Sequence, residues 1–327
     1  MKKFLTITLI LLLVVTAVFS FVACKTTDAI RLNEVTHSLF YTPQYLAMAL
    51  GYFEEEGITV EVTNGQGANN VMTALLTNEA DIGLMGCEAN MYVFLEGKKD
   101  YPKVVAQLTK RDGSFLVARK EMPNFDYSGL ENKTVLMGRP GGMPAMILQY
   151  VLNNKGYTNG VNITMDYSLE FSAIGPAFTT GTGDFVPLFE PAASQVVKEG
   201  KGYIVSAIGM DSGEIPYTCY SVSSKFMKNH PDKVEKFLRA VWRGTEYALT
   251  HTAEECAELV AKYFEATSMD LLVSAIKNYQ DFDVWMTTPV TDKAAFSRIQ
   301  DIMENAGELS KRVSYDDIVD NSFAEKI

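Results

Sequence analysis

Tyr41-Thr42-Pro43-Gln44-Tyr45-Leu46-Ala47-Met48-Ala49-Leu50, followed at once by Gly51-Tyr52-Phe53-Glu54-Glu55-Glu56-Gly57-Ile58, is the stretch on which the reading of the fold turns. Proline in a first turn gives up an amide that a helix start leaves unbonded anyway, and Gly51 supplies a stop, so Pro43–Leu50 reads as a helix. Leu32–Thr36 before it and Ile58–Val62 after it read as strands. Strand, helix and strand with glycine punctuation is the unit of a parallel, doubly wound sheet. Outward from this unit the alternation continues. Ala68–Thr77 is a helix with Val71, Met72 and Leu75 inward, Ile82–Met85 is a strand stopped by Gly86, and a helix starts near Ala89. Val104–Leu108 and Phe115–Ala118 read as strands. A second block opens with Lys133–Met137, the turn Gly138-Arg139-Pro140-Gly141-Gly142 and a helix over Pro144–Lys155. Its further strands are Ile163–Tyr167, Phe185–Leu188 and Tyr203–Ser206. The last third is helical. Pro231 opens a helix whose Val234, Phe237, Leu238, Val241, Ala248 and Leu249 form one apolar stripe, Thr252 and Glu255 match a capping box, and Ala294–Ala306 ends at Gly307.

The 327 residues are 47% hydrophobic and 21% charged, proportions that exclude a disordered or collagen-like chain and suggest about two domains. A net charge of −11 removes the electrostatic basis for binding nucleic acid or an anionic lipid surface. Lys2 and Lys3 precede an uncharged apolar run, Phe4–Ala23, which reads as an export leader. An uncleaved anchor is the alternative, since such a run can span a bilayer. The short polar segment Lys25–Asp28 favours a tethered, cleaved form. No later segment stays apolar and uncharged for 18 residues. Cys87, Cys219 and Cys256 are odd in number and lack CxxC or His spacing, so neither a disulfide framework nor a zinc site is expected, and they read as buried thiols. No cofactor is expected.

Phe21-Val22-Ala23-Cys24 resembles a bacterial lipoprotein box, with Phe21 where leucine is commonest. The resemblance implies a signal peptide at 1–23, lipidation at Cys24 and a tether over 24–29. The order of the remaining segments resembles extracytoplasmic solute-binding proteins of ABC importers, type II class, in the SsuA/THI5-like group. The residues that carry this are the opening stretch, Ala74-Leu75-Leu76-Thr77-Asn78-Glu79-Ala80-Asp81-Ile82-Gly83, the Gly138–Met143 turn with its helix, and Phe189-Glu190-Pro191-Ala192. The group implies an α/β, two-lobed periplasmic-binding fold with doubly wound mixed sheets and a helical C-terminal third. Lobe one would be 30–117 plus 217–327 and lobe two 118–216, with crossovers near Val117–Arg119 and Tyr217–Ser221. It further implies a ligand held in the cleft by hinge closure, and delivery to a membrane permease with its cytoplasmic ATPase. The chain would act as a monomer on the outer face of the cytoplasmic membrane.

In open α/β sheets ligands sit beyond the carboxyl ends of strands, which selects five loops here. Phe40 and Tyr41 follow the first strand and offer rings for stacking or for lobe packing. Gln66, Gly67 and Ala68 present amides at a helix start. Glu88 and Asn90 lie past Gly86, where Glu88 either meets ligand or complements the helix dipole. Arg139, Gly141, Gly142 and Met143 form the fourth loop. Thr180, in Thr179–Asp184, and Glu190 form the fifth, and Tyr217 lies at the return crossover. Glu88 and Glu190 in one cleft would repel an anion and accept hydrogen bonds from ring amines. With the aromatic pair they suit a small heteroaromatic such as a pyrimidine precursor of thiamine. An aliphatic sulfonate, taurine or nitrate binder is the alternative. A biosynthetic enzyme or surface sensor is the alternative of another class, although no Ser/His/Asp or Cys/His set is visible and no catalysis is expected.

Overall fold

The computed structural model describes residues 28–327; the leader, Cys24 and residues 25–27 of the tether lie outside the described residues. Ten strands form two five-stranded sheets: β1 (Ile30–Glu34), β2 (Val60–Asn64), β3 (Ile82–Met85), β4 (Lys103–Thr109), β5 (Ser114–Ala118), β6 (Thr134–Leu136), β7 (Thr164–Asp166), β8 (Phe185–Phe189), β9 (Tyr203–Ala207) and β10 (Thr218–Val222). The first sheet has the order β2-β1-β3-β10-β4 and the second β7-β6-β8-β5-β9. Each sheet is parallel except for one strand. β10 runs antiparallel to β3 and β4, and β5 antiparallel to β8 and β9.

The two reversed strands are the ones that arrive from the other sheet. β4 leaves the first sheet at its carboxyl end and reaches β5 through residues 110–113, while β9 reaches β10 through residues 208–217. A connection too short for a helical return cannot restart the strand direction, so each arriving strand starts at the cleft and runs away from it. The crossover expected near Val117–Arg119 therefore lies earlier, because Ser114–Ala118 already pairs with β8 and β9. Similarly, Tyr217–Ser221 is not a linker: Thr218–Val222 is a buried strand inside the first sheet.

The principal helices are α1 (Thr42–Ala49), α2 (Ala68–Leu76), α3 (Glu88–Leu95), α4 (Met143–Asn154), α5 (Phe171–Thr179), α6 (Ala192–Lys198), α7 (Pro231–Thr250), α8 (Ala253–Val260), α9 (Met269–Asp281) and α10 (Lys293–Asn305). Helix α7 buries the expected stripe, with Phe237 against Phe53 and Tyr220 at ring separations of 5.4 and 5.2 Å. Burial of each such side chain contributes about 1.5–3 kcal/mol. Leu249 departs from expectation: it is 39% exposed, while its neighbour Ala248 is fully buried. Thr252 and Glu255 form the capping box at the start of α8. Among the described residues no helix is long and apolar enough to cross a membrane.

Helices α7 and α1 cross at Gly244. A Cβ there would stand 2.2 Å from the Pro43 carbonyl oxygen and 2.8 Å from the Ala47 nitrogen, both backbone atoms that cannot rotate away. Gly244→Ala is thus expected to lower the unfolding free energy by about 1–3 kcal/mol, although alanine is the better helix former by ~1 kcal/mol. Urea unfolding followed by circular dichroism reads the sign, and an unchanged midpoint would mean that the helices separate at no cost.

Candidate functional site

The two crossovers turn the carboxyl ends of β1, β3, β4, β6, β8 and β9 toward one another, and the candidate site lies where these ends meet. Its centre is Glu88, the first residue of α3, which follows the end of β3 after Gly86 and Cys87. Gly86 leaves room for this carboxyl group: a Cβ there would sit 2.0 Å from Glu88 Oε2. The carboxyl group is buried and Oε2 has no hydrogen-bond partner. Burial pushes its pKa up to about 7, against a small opposing effect of its own backbone amide. One helical turn on, the Tyr92 hydroxyl is also buried and unpartnered. Its pKa is raised by burial first, then by the negative charges of Glu88 and Glu308. Two orphaned polar atoms four residues apart on one helix are costly in a folded core.

Aromatic rings form one wall. Phe40 packs against Tyr41, Tyr217, Phe189 and Tyr279 at centroid separations of 5.9, 5.7, 5.7 and 5.1 Å. Phe189 is on lobe two, so Phe40 packs the lobe interface, the plainer of its two readings. Tyr41 and Tyr217 are buried phenols within the field of Glu88, and both have raised pKa values, chiefly through burial. From the second sheet comes the Gly138–Met143 turn. Gly138 (φ +81) lies against Phe171, and a Cβ on Gly141 (φ +74) would reach 3.3 Å from the Glu308 carboxylate. Glu308 thereby lies between the second sheet's glycine turn and Tyr92, whose phenol feels its charge. Gly142 caps α4 and Met143 is buried in its first turn.

The remaining expected residues have other duties. Glu190 is fully engaged: it accepts from Asn278 Nδ2 (2.5 Å), Ser194 Oγ (2.8 Å) and the Ser194 amide (3.0 Å), while its own amide donates to the Tyr279 hydroxyl (3.0 Å). Burial raises its pKa against those bonds. It fastens lobe two to α9. Asn90 donates to the Pro102 carbonyl and accepts from Ser221 Oγ, which ties α3 to the sheet. Arg139 pairs with Glu170 at 3.2 Å on the exposed rim. Gln66, Gly67 and Ala68 lie at the end of the edge strand β2, where the Gln66 amide donates to Asn64 Oδ1. Thr180 follows α5 and precedes β8, which puts it at the amino end of that strand, away from the cleft; its hydroxyl donates to Pro176 and Ala177 carbonyls.

Sequence reading missed Tyr92, Glu308, Asp112 and Glu34. Asp112 is in the first crossover, buried, with Oδ1 held by the Ser114 amide (2.7 Å) and Oδ2 unpartnered; burial pushes it up to about 6. Glu34 ends β1 and accepts from Tyr45 (2.5 Å) and Gln44 (3.1 Å). A visible signal existed for Glu308, which follows the helix-stopping Gly307, and for Tyr92, four residues after Glu88. Among the described residues no cluster of metal-ligating side chains occurs.

A family model described as NMT1/THI5 like matches residues 40–255. A curated relative, the putative binding protein YtlA of Bacillus subtilis, is 38% identical over 94% of this chain and 93% of its own. The 4-amino-5-hydroxymethyl-2-methylpyrimidine phosphate synthase of Aspergillus parasiticus is 26% identical over 68% of this chain and 66% of its own. Among solved structures, the periplasmic aliphatic sulphonate binding protein SsuA of Escherichia coli superposes with a TM-score of 0.72 at 15% identity, covering 90% of this chain and 98% of that one.

The raised Glu88 carboxyl makes stability fall with rising pH. Its folded pKa, about 7, exceeds the ordinary 4.5, so the native state binds the extra proton between those values and loses that advantage as pH climbs through 7. Glu88→Gln is expected to leave stability at pH 4 nearly unchanged and to raise it at pH 8, by at most about 3 kcal/mol. Urea titrations of both proteins across that range test this; parallel pH profiles would mean that Glu88 ionises normally.

Proposed function

Because the chain belongs to the NMT1/THI5-like family, we propose that it is the extracytoplasmic solute-binding component of an ABC importer, which captures a small molecule between two lobes and hands it to a membrane permease. The observation that carries this reading is the pair of orphaned buried groups, Glu88 Oε2 and the Tyr92 hydroxyl, on the helix that follows the carboxyl end of β3. Residues 30 to about 109 with 218–327 form the first lobe, and 114–207 the second. The family relationship to a curated binding protein over nearly the whole chain supports capture rather than catalysis.

The ligand is a small nitrogen heteroaromatic, of the pyrimidine kind named for the Aspergillus relative. Glu88 and Glu308 oppose an anion, and the one arginine of the expected set, Arg139, is already paired with Glu170. Ring N–H groups would donate to Glu88, while Tyr41 and Tyr217 flank the ring. The lipoprotein box makes Cys24 the anchor on the outer face of the cytoplasmic membrane, with the folded part a monomer beside the permease and ATPase.

Thermal unfolding against 4-amino-5-hydroxymethyl-2-methylpyrimidine, taurine, an alkanesulfonate and nitrate separates the ligand classes. A dose-dependent shift is expected with the pyrimidine, since ligand at 100 times Kd adds about 2.7 kcal/mol. Glu88→Gln should weaken that binding roughly tenfold to a hundredfold, the worth of a hydrogen bond to a charged group. A shift with the alkanesulfonate alone would move the ligand to the anion class and leave the capture role standing. For the anchor, Cys24→Ser is expected to move the chain from the membrane fraction to the medium or periplasm, and continued membrane retention would point to an uncleaved leader.

A further inference from the structure

The first described residue, Asp28, shows where the chain leaves its folded body. Its carbonyl and its carboxylate both accept from Lys233 Nζ, at 3.0 and 2.5 Å, so it lies against the first turn of α7. Just beyond it the Ile30 amide donates to the Thr59 carbonyl at 2.8 Å, and Ile30 pairs with Val60, the first residue of β2. Val222, the last residue of the reversed strand β10, stands opposite Ile82 and Lys103, the first residues of β3 and β4. The exit therefore lies on one face of the first lobe, made by the amino ends of β1 to β4. The candidate site is at the other ends of those strands. The five residues of β1, at about 3.3 Å each, put roughly 16 Å of sheet between the two faces.

We propose that a short tether holds this face to the bilayer, so that the cleft of the anchored chain opens away from the membrane. The inference rests on the anchoring part of the function proposed above, and on length. Cys24 is four residues before Asp28, and a fully extended chain of that length reaches at most about 14 Å. A lobe of about 190 residues is roughly 40 Å across. An arm so short cannot carry an anchor round the lobe to the rim of the cleft. An uncleaved leader imposes the same limit, because its apolar run ends at Ala23.

Charge agrees with this posture. The chain as a whole is acidic, at −11, and an anionic lipid surface opposes it. Around the exit the balance differs. Lys225 and Lys228 are exposed on the short helix Ser224–Asn229 and, among the described residues, form no ion pair. Lys233 neutralises Asp28, and Asp232 is the one acid in the first turn of α7. Farther out, the loops before β2, β3 and β4 carry Glu54, Glu79, Glu96 and Asp100 against Lys98 and Lys99, which leaves the face close to neutral. Anionic headgroups thus repel the rest of the molecule more than they repel this face. A cleft open to the external medium suits capture, and the same tether resists turning it toward a permease in the bilayer.

The test uses the full chain, purified with its anchor and reconstituted into vesicles of phosphatidylethanolamine and phosphatidylglycerol that carry an acceptor dye on the headgroups. Cys87, Cys219 and Cys256 are buried, so a thiol-reactive donor goes to a cysteine introduced at an exposed position, and the unsubstituted chain gives the background. Lys228→Cys reports the exit face. Asn69→Cys, exposed beyond the carboxyl end of β2, reports the cleft side of the same lobe. Energy transfer is expected to be several-fold stronger from position 228 than from position 69. A flexible glycine–serine insert of about 20 residues between Lys25 and Thr26, spanning roughly 25 Å, should bring the two closer to equal. Equal transfer without the insert, stronger transfer from position 69, or a difference that the insert leaves untouched would each overturn the proposal while the anchor stands. A chain that does not stay with the vesicles would overturn the anchor, and the orientation with it.

Discussion

The constraint on which the structure depends is the shortness of the two crossovers and their attachment to each other. The Ile215 amide donates to the Lys110 carbonyl at 2.8 Å and the Tyr217 amide to the Thr109 carbonyl at 3.3 Å, so the connections run side by side as one strap. The C-terminal segment backs the strap: the Lys110 amide reaches the Val284 carbonyl, and Trp285 Nε1 donates to the Phe40 carbonyl at 2.9 Å. Gly113 is obligatory in it, because a Cβ would lie 2.4 Å from the Phe40 ring. A strap this short delivers each chain to the cleft edge of the next sheet. The reversed directions of β5 and β10, and the convergence of all the other carboxyl ends, follow from that geometry.

Four buried carboxyl groups crowd the region, and their hydrogen bonding separates their roles. Glu34 is raised by burial, yet Tyr45, Gln44 and His37 occupy both of its oxygens, so it holds β1 to α1 at little net cost. Glu190 is likewise satisfied and joins the lobes through Asn278. Glu88 and Asp112 each keep an oxygen without a partner. A buried acid left half-solvated is a destabilising feature, retained where a binding partner makes use of it. The charges of both reach the Tyr217 phenol, whose pKa is raised first by burial. The pattern of unmet bonds, rather than burial alone, singles out the acids suited to recognition.

How much of this was legible in the sequence can be traced residue by residue. Pro43, Gly51, Gly86 and Gly307 marked element ends well because each acts through local backbone geometry. Glu88 was found by the same logic, since a strand stop and a helix start enclose it. Thr180 was misplaced because a glycine-rich turn looks alike whether it leaves a strand or enters one; only the sheet shows that it enters β8. The crossovers were misjudged because Ser114–Ala118 and Thr218–Val222 are buried on both faces and carry no alternation, so sequence could not say to which sheet each belongs. Glu190 sits at a helix start in either reading, and its partner Asn278 is 88 residues away. Asp112 depends on tertiary contacts alone.

The two lobes divide the work of recognition unequally. Charge and hydrogen-bonding capacity lie on the first: Glu88, Tyr92, Tyr41 and Glu308, with Asp112 in the strap. The second offers Phe189, Phe171 and a turn of glycines at positive φ, which present backbone rather than side chains. Gly141 can approach the Glu308 carboxylate closely because it has no Cβ to keep it away. The hinge movement of the proposed role would therefore change the environment of the first lobe's acids without replacing their partners. In the proposed role, a lid of backbone and aromatic surface would exclude water over these groups, and exclusion of water strengthens every interaction they make with an enclosed ligand. Selectivity in such an arrangement resides in the first lobe, and the second lobe sets how tightly that selection is held.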